Sequence, residues 1–115
     1  MPAPDPSRFL PLPSLSYYVL LALGEGAAHG WAVIKRIQEI TDGGANPSSG
    51  SLYLAMVRLE DDGLIAESAT PGGEDGRRKY YRLTALGREV ARAESQRLSK
   101  LVRRARALDL LQEPK

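Results

Sequence analysis

The chain has no cysteine, which removes disulfides, thiolate nucleophiles, sulfur-ligated metals and thiol redox switches from consideration. It carries one histidine, one tryptophan and one phenylalanine in 115 residues. His29 stands beside Gly30 with no cysteine or second imidazole to share a metal, and no obvious helix-borne acid to make it a catalytic base. No apolar run approaches the roughly 18 residues of a membrane span, and Tyr17 to Leu23 is too short even for a signal peptide. Gly72, Gly73 and Gly76 lack the strand-to-helix transition and following Lys-Ser or Lys-Thr of a phosphate-binding loop. These absences argue against an enzyme, a metal or cofactor protein and a membrane protein. A chain this short supports one domain, expected in the cytoplasm.

What is present is helical patterning interrupted at regular places. Leu52, Met56, Leu59 and Gly63 share one helical face at spacings of three and four, with Ala55 beside them. Ser48 or Ser49 can cap the start of that helix, and Gly63 can supply the left-handed residue that ends it before Leu64-Ile65. The opposite face carries Ser51, Leu54, Val57 and Arg58, with Tyr53 at its flank. Upstream, His29-Gly30 opens a second pattern in which Trp31, Ile34, Ile37 and Ile40 are expected to pack inward, and Thr41-Asp42-Gly43-Gly44 breaks it. From periodicity alone an ordinary helical hairpin fits these two segments as well as a helix-turn-helix does. Their continuation decides between them. Ile65 to Thr70 and Lys79 to Leu83 read as two short strands flanking a Gly-rich tip, with Tyr81 and Leu83 on one face and Tyr80 and Arg82 on the other. A helix-turn-helix followed by such a hairpin is a winged helix, and Arg77-Arg78-Lys79 sits where a wing reaches phosphates or a minor groove.

The strings Leu20-Leu21-Ala22-Leu23, Glu25-Gly26, His29-Gly30-Trp31, Gly50-Ser51-Leu52-Tyr53, Arg58-Leu59-Glu60, Gly63-Leu64-Ile65 and Arg78 to Thr84 with Gly87 occur in this order over about Leu15 to Gly87. Together they resemble the PadR family of bacterial transcriptional regulators. The chain departs from the family pattern where Trp31 replaces a more usual Tyr and where Leu54 replaces a Pro after the Leu-Tyr pair. The resemblance implies a dimeric winged-helix repressor, with double-stranded operator DNA as partner. It also implies a small aromatic or hydrophobic effector held between helix 1 and the long C-terminal helices, for which Tyr17, Tyr18 and Trp31 are the aromatic candidates.

The charge distribution is polarised rather than strongly basic. The net charge is +2, yet eleven Arg or Lys lie between Arg77 and Arg106 against only Glu89 and Glu94. Thr84 is the expected N-cap of a long helix from Ala85 to about Leu111, on which Leu98, Leu101, Ala105 and Leu108 form a coiled-coil seam suited to a second copy of the chain. Glu94, one heptad before Leu101, interrupts that seam, so its apolar part begins at Leu98. The five prolines within Met1 to Pro13 favour extended structure, and a mobile tail is expected there.

The expected architecture is mainly α, of the α+β kind: a winged helix-turn-helix with a two-stranded hairpin wing and a long C-terminal helix. It divides into a Pro-rich tail (1–13), the DNA-binding domain (14–84) and a dimerisation helix (85–115). The residues expected at DNA are Lys35, Ser49, Ser51, Tyr53, Leu54 and Arg58, with Arg77, Arg78 and Lys79 on the wing. Arg58 has a competing reading as an ion-pair partner of Asp61 or Asp62. Two other readings stay open for the whole chain: a winged helix that binds another protein, and a DNA binder indifferent to sequence.

Overall fold

Leu15, Val19 and Leu23 recur at helical spacing after the last proline of the N-terminal segment. In the computed structural model, which describes residues 4–69 and 78–112, they lie on helix α1, Ser14–Gly24. The order continues as strand β1 (Ala28–His29), helix α2 (Gly30–Ile40), helix α3 (Ser49–Asp61), strands β2 (Ile65–Ser68) and β3 (Tyr80–Leu83), and helix α4 (Ala85–Ala107). This is a winged helix-turn-helix with a long C-terminal helix.

Helices α2, α3 and α4 each begin where a side-chain acceptor is available, whereas α1 follows Pro13 without one. His29 Nδ1 accepts from the Ala32 amide at 3.2 Å, Ser48 Oγ from Ser51 at 3.1 Å, and Thr84 Oγ1 from Gly87 at 3.0 Å. Helix α3 ends at Asp61 and the chain turns away at Gly63, whose φ of 79° favours glycine. Thr84 also donates its hydroxyl to the Gly63 carbonyl at 2.6 Å and its amide to the Leu64 carbonyl at 3.1 Å. The end of α3, the entry to β2 and the start of α4 are thereby tied at one point.

The core draws on every helix: Val19, Leu20 and Leu23 from α1, Val33 and Ile37 from α2, Leu52, Met56 and Leu59 from α3, and Val90 from α4. Leu64 and Ile65 close it from below the wing. Fully burying a side chain of this size stabilises the fold by about 1.5–3 kcal/mol. Arg36 fastens α2 to the end of α1, donating from Nη1 to the carbonyls of Ala22 at 3.0 Å and Gly26 at 2.7 Å.

Four expectations change. The sheet has a third strand: β1 pairs with β3 through Ala28↔Tyr81 and His29↔Tyr80, giving the order β1-β3-β2. Trp31 does not pack inward. It is 67% exposed, because the inward phase of α2 is set by Val33 and Ile37, two residues out of step with it. The segment before α1 is docked over the residues described: Pro6–Phe9 form a 3-10 turn, and Phe9, Leu10 and Leu12 pack against the core. Its anchor is Glu94, which is 1% exposed and accepts from the Leu12 amide at 2.8 Å while pairing with Arg97. Glu94 therefore belongs to an inward-facing part of α4. The helix ends at Ala107, short of Leu111, and 23 residues give it a length of roughly 35 Å.

Candidate nucleic-acid interface

With Leu52, Met56 and Leu59 facing the core, the outward face of α3 follows from the helical period. Leu54 is 69% exposed and Tyr53 66%, and Ser49, Ser51, Val57 and Arg58 are exposed around them. The Ser48 cap positions more than the backbone. Its hydroxyl donates to Ser51 Oγ at 3.0 Å, so the Ser51 hydroxyl proton remains available to an acceptor outside the protein. Arg58 makes no ion pair with Asp61 or Asp62 among the described residues, leaving its guanidinium directed to solvent. This face offers hydroxyl and guanidinium donors beside an exposed branched apolar group, the combination that reads base edges and thymine methyls in a major groove.

A groove of about 700 Å³ runs between the start of α2, the flank of α3 and the base of the wing. Trp31, Tyr53 and Val57 form apolar walls, while His29, Arg78 and Lys79 supply nitrogen. Lys35 stands one turn beyond Trp31 with its Nζ 4.9 Å from the indole centroid, a cation–π contact that keeps the ammonium near the groove's edge. The His29 ring lies edge-on to Tyr80 at 5.2 Å, and its Nε2 is 3.4 Å from Arg78 Nη1. Burial, then the neighbouring charges of Arg78 and Arg36, hold the His29 pKa below the usual 6.5, so the ring is neutral at physiological pH. Burial is also the main cause that raises the Tyr81 phenol above its usual value, followed by the charge of Glu60.

The expected DNA residues thus fall into two adjoining groups. Ser51, Leu54 and Arg58 occupy the outer face of α3; Ser49, Tyr53, Arg78 and Lys79 line the groove beside it, with Lys35 near its edge. Arg77 lies outside the described residues. The three aromatic ligand candidates do not converge. Tyr17 is on α1, where its hydroxyl lies 2.7 Å from Ser95 Oγ on α4, and Tyr18 packs against the core. Trp31 is in the groove by α3. On α4, Leu101 is 56% exposed and Leu108, the residue that caps the helix, 58%, whereas Leu98 and Ala105 are half-buried. His29 and Tyr81 are among the groove residues not expected from the sequence as interface residues, because their placement depends on the β1-β3 pairing.

Among the described residues no cluster of His, Asp or Glu can hold a metal, and no helix is long and apolar enough to cross a membrane. The structure is similar to a PadR family transcription regulator from Clostridium difficile, with TM-score 0.70 and 20% identity over 84% of this chain and 98% of that chain. It is also similar to RosR from H. salinarum, with TM-score 0.65 and 29% identity over 89% of this chain and 92% of that one. In sequence it is 28% identical over 100 residues to the transcriptional regulator YqjI of Escherichia coli, covering 87% of this chain and 46% of that protein. The chain spans less than half the length of the curated relatives it matches. Residues 19–93, from α1 through the first half of α4, match the model of the transcriptional regulator PadR-like family. With its winged-helix fold and an exposed outer face of α3, this chain belongs to the PadR-like family of DNA-binding transcriptional regulators, which are not enzymes.

Proposed function

We propose that the protein is a dimeric repressor that reads a pseudo-palindromic operator in the cytoplasm, entering the major groove with α3 and reaching the flanking backbone with the wing. The observation that carries this reading is the exposed Ser51-Leu54-Arg58 face beside the groove cations Arg78 and Lys79. The acidic Asp61 at the end of α3 repels phosphate, which favours docking by the helix's N-terminal half. Dimerisation is supported by the apolar stripe on α4, where Leu98, Leu101, Ala105 and Leu108 suit a second copy and exposed Val102 widens the strip. Two heads related by a two-fold axis read half-sites one or more turns apart, at roughly 34–36 Å per turn.

Release by a flat aromatic ligand is the regulation the family resemblance implies. Tyr17 and Tyr18 on α1 are its candidates, since Tyr17 already bridges to α4 through Ser95. Such a ligand changes operator affinity by biasing the distance between the two reading heads.

The test is a fluorescence-anisotropy titration against the DNA upstream of the protein's own coding region, beside a scrambled duplex of equal length, at several salt concentrations. Preference for the upstream duplex by roughly a thousandfold, with two monomers bound, supports the operator-binding dimer. Equal and steeply salt-dependent binding to both supports a sequence-indifferent DNA binder, and no binding to either rejects the DNA reading in favour of a protein partner.

A further inference from the structure

We infer that His29 is a DNA-backbone contact, a neutral imidazole whose Nε2–H donates to a phosphate oxygen alongside the Arg78 guanidinium. The inference rests on the DNA-binding reading above and names a residue that reading does not use. It starts from hydrogen-bond bookkeeping. Nδ1 accepts from the Ala32 amide at 3.2 Å, so Nδ1 carries no proton and a neutral ring carries it on Nε2. Arg78 Nη1 lies 3.4 Å from that Nε2, and a guanidinium has no lone pair to offer. Two donors therefore face the same space and neither satisfies the other. An anionic oxygen satisfies both.

The ring is also held in place. Its backbone pairs with Tyr80 across β1 and β3, its plane packs edge-on against the Tyr80 ring at 5.2 Å, and its Nδ1 caps α2. A donor fixed in this way loses little rotamer freedom on binding. The groove it faces contains Arg78 and Lys79, and among the described residues that line it there is no acidic side chain. A phosphate diester of duplex DNA fits this position better than a free phosphate does. The groove lies between the helix that enters the major groove and the wing that reaches the next minor groove, so the strand separating those grooves passes over it. Trp31 and Tyr53 then meet the deoxyribose on either side.

His29 is the chain's only histidine, so a long-range proton–nitrogen spectrum of the full protein labelled with 15N-histidine contains one imidazole. The expected spectrum shows the Nε2–H tautomer in the free protein, with the Nε2 signal moving on addition of the tightest duplex selected by the wild-type protein. Millimolar inorganic phosphate should leave it in place. An Nδ1–H tautomer, or a shift of equal size with inorganic phosphate, overturns the assignment. His29→Asn separates capping from contact, because asparagine is a good N-cap but lacks the ring's reach. It should melt like the wild type yet bind selected and scrambled duplexes about tenfold more weakly, as expected for one charge-assisted hydrogen bond. Replacing the contacted phosphate with a methylphosphonate should weaken the wild type more than His29→Asn, in which only the Arg78 contact is left to lose; equal losses in the two proteins overturn the assignment. Wild-type binding with an undiminished His29→Asn variant sinks this inference alone; failure of the wild type to bind any duplex removes the DNA reading with it.

Discussion

At the level of single residues, Gly87 and Leu54 show two opposite reasons for a side chain's identity. Gly87 lies in the first turn of α4 directly over the Leu64 carbonyl, and a Cβ built there would fall 1.9 Å from that oxygen. Leu64 is itself buried and its carbonyl accepts from Thr84, so neither side can yield cheaply. Gly87→Ala should cost about 3 kcal/mol of folding stability, the upper part of the range for forcing atoms into a packed site, read as a lower urea midpoint. Leu54 has the opposite setting, since it is 69% exposed and packs against nothing that needs it. Leu54→Ala should leave the melting temperature within about 2 °C of the wild type, as for surface changes worth under about 0.5 kcal/mol. It should alter the ranking of operators in a selection from random duplexes. Equal weakening on every duplex would remove Leu54 from base reading. Both identities stood in the sequence, but only Gly87's demand for a missing side chain required knowing what lies above it.

At the level of elements, the N-terminal segment and α4 behave as one unit. The Glu94 carboxylate holds the Leu12 amide and Arg97, and the hydrogen bond from Arg97 is the largest cause that keeps its pKa below the usual 4.5, with burial opposing. A carboxylate with a depressed folded-state pKa contributes stability that is present above the unfolded value and lost as pH falls through the folded one. The segment should therefore be secure at neutral pH and loosen below about pH 4.5, where proteolysis between Pro6 and Pro13 would accelerate. Glu94→Gln, which keeps an acceptor for Leu12 but cannot titrate, should remove this acid dependence. A wild-type cleavage rate that does not change across that range would assign the docking to Phe9, Leu10 and Leu12 alone. Beyond Glu94 the same helix turns from covered to exposed, and Leu101 lies in the exposed part. Leu101→Lys should convert the proposed dimer to a monomer in light scattering while leaving the monomer folded, because the charge replaces a side chain that is 56% exposed on its own chain. An unchanged mass would move the dimer interface elsewhere. Sequence patterning predicted the start of α4 at its Thr84 cap and the apolar stripe near its end. It did not predict the docked segment, whose anchoring hydrogen bond joins residues 82 positions apart.

For the whole molecule, the question is how charge and topology deliver one face to DNA. Net charge is only +2, but basic residues crowd the wing base and α4 while Glu60, Asp61 and Asp62 close the far end of α3. Substituting both Arg78 and Lys79 by alanine should weaken binding to all duplexes and lower the slope of log K against log salt by about two, one unit per lost phosphate contact. An unchanged slope would take the base of the wing out of the interface. The sequence by itself determined the elements: the periods of three and four that make α3 and α4 helical, the caps at Ser48 and Thr84, the left-handed stop at Gly63, and the alternation of β3. These are short-range properties, set by side chains a few positions apart on one segment. Tertiary structure alone decided which of two equally periodic faces of α2 turned inward, leaving Trp31 outside, and that a two-residue strand joined the wing and brought His29 over the groove. Those outcomes depend on contacts between distant segments. Two residues are too few to carry a period, and Trp31 and Val33 each fit a helical face, so only packing against α1 and α3 could choose between them.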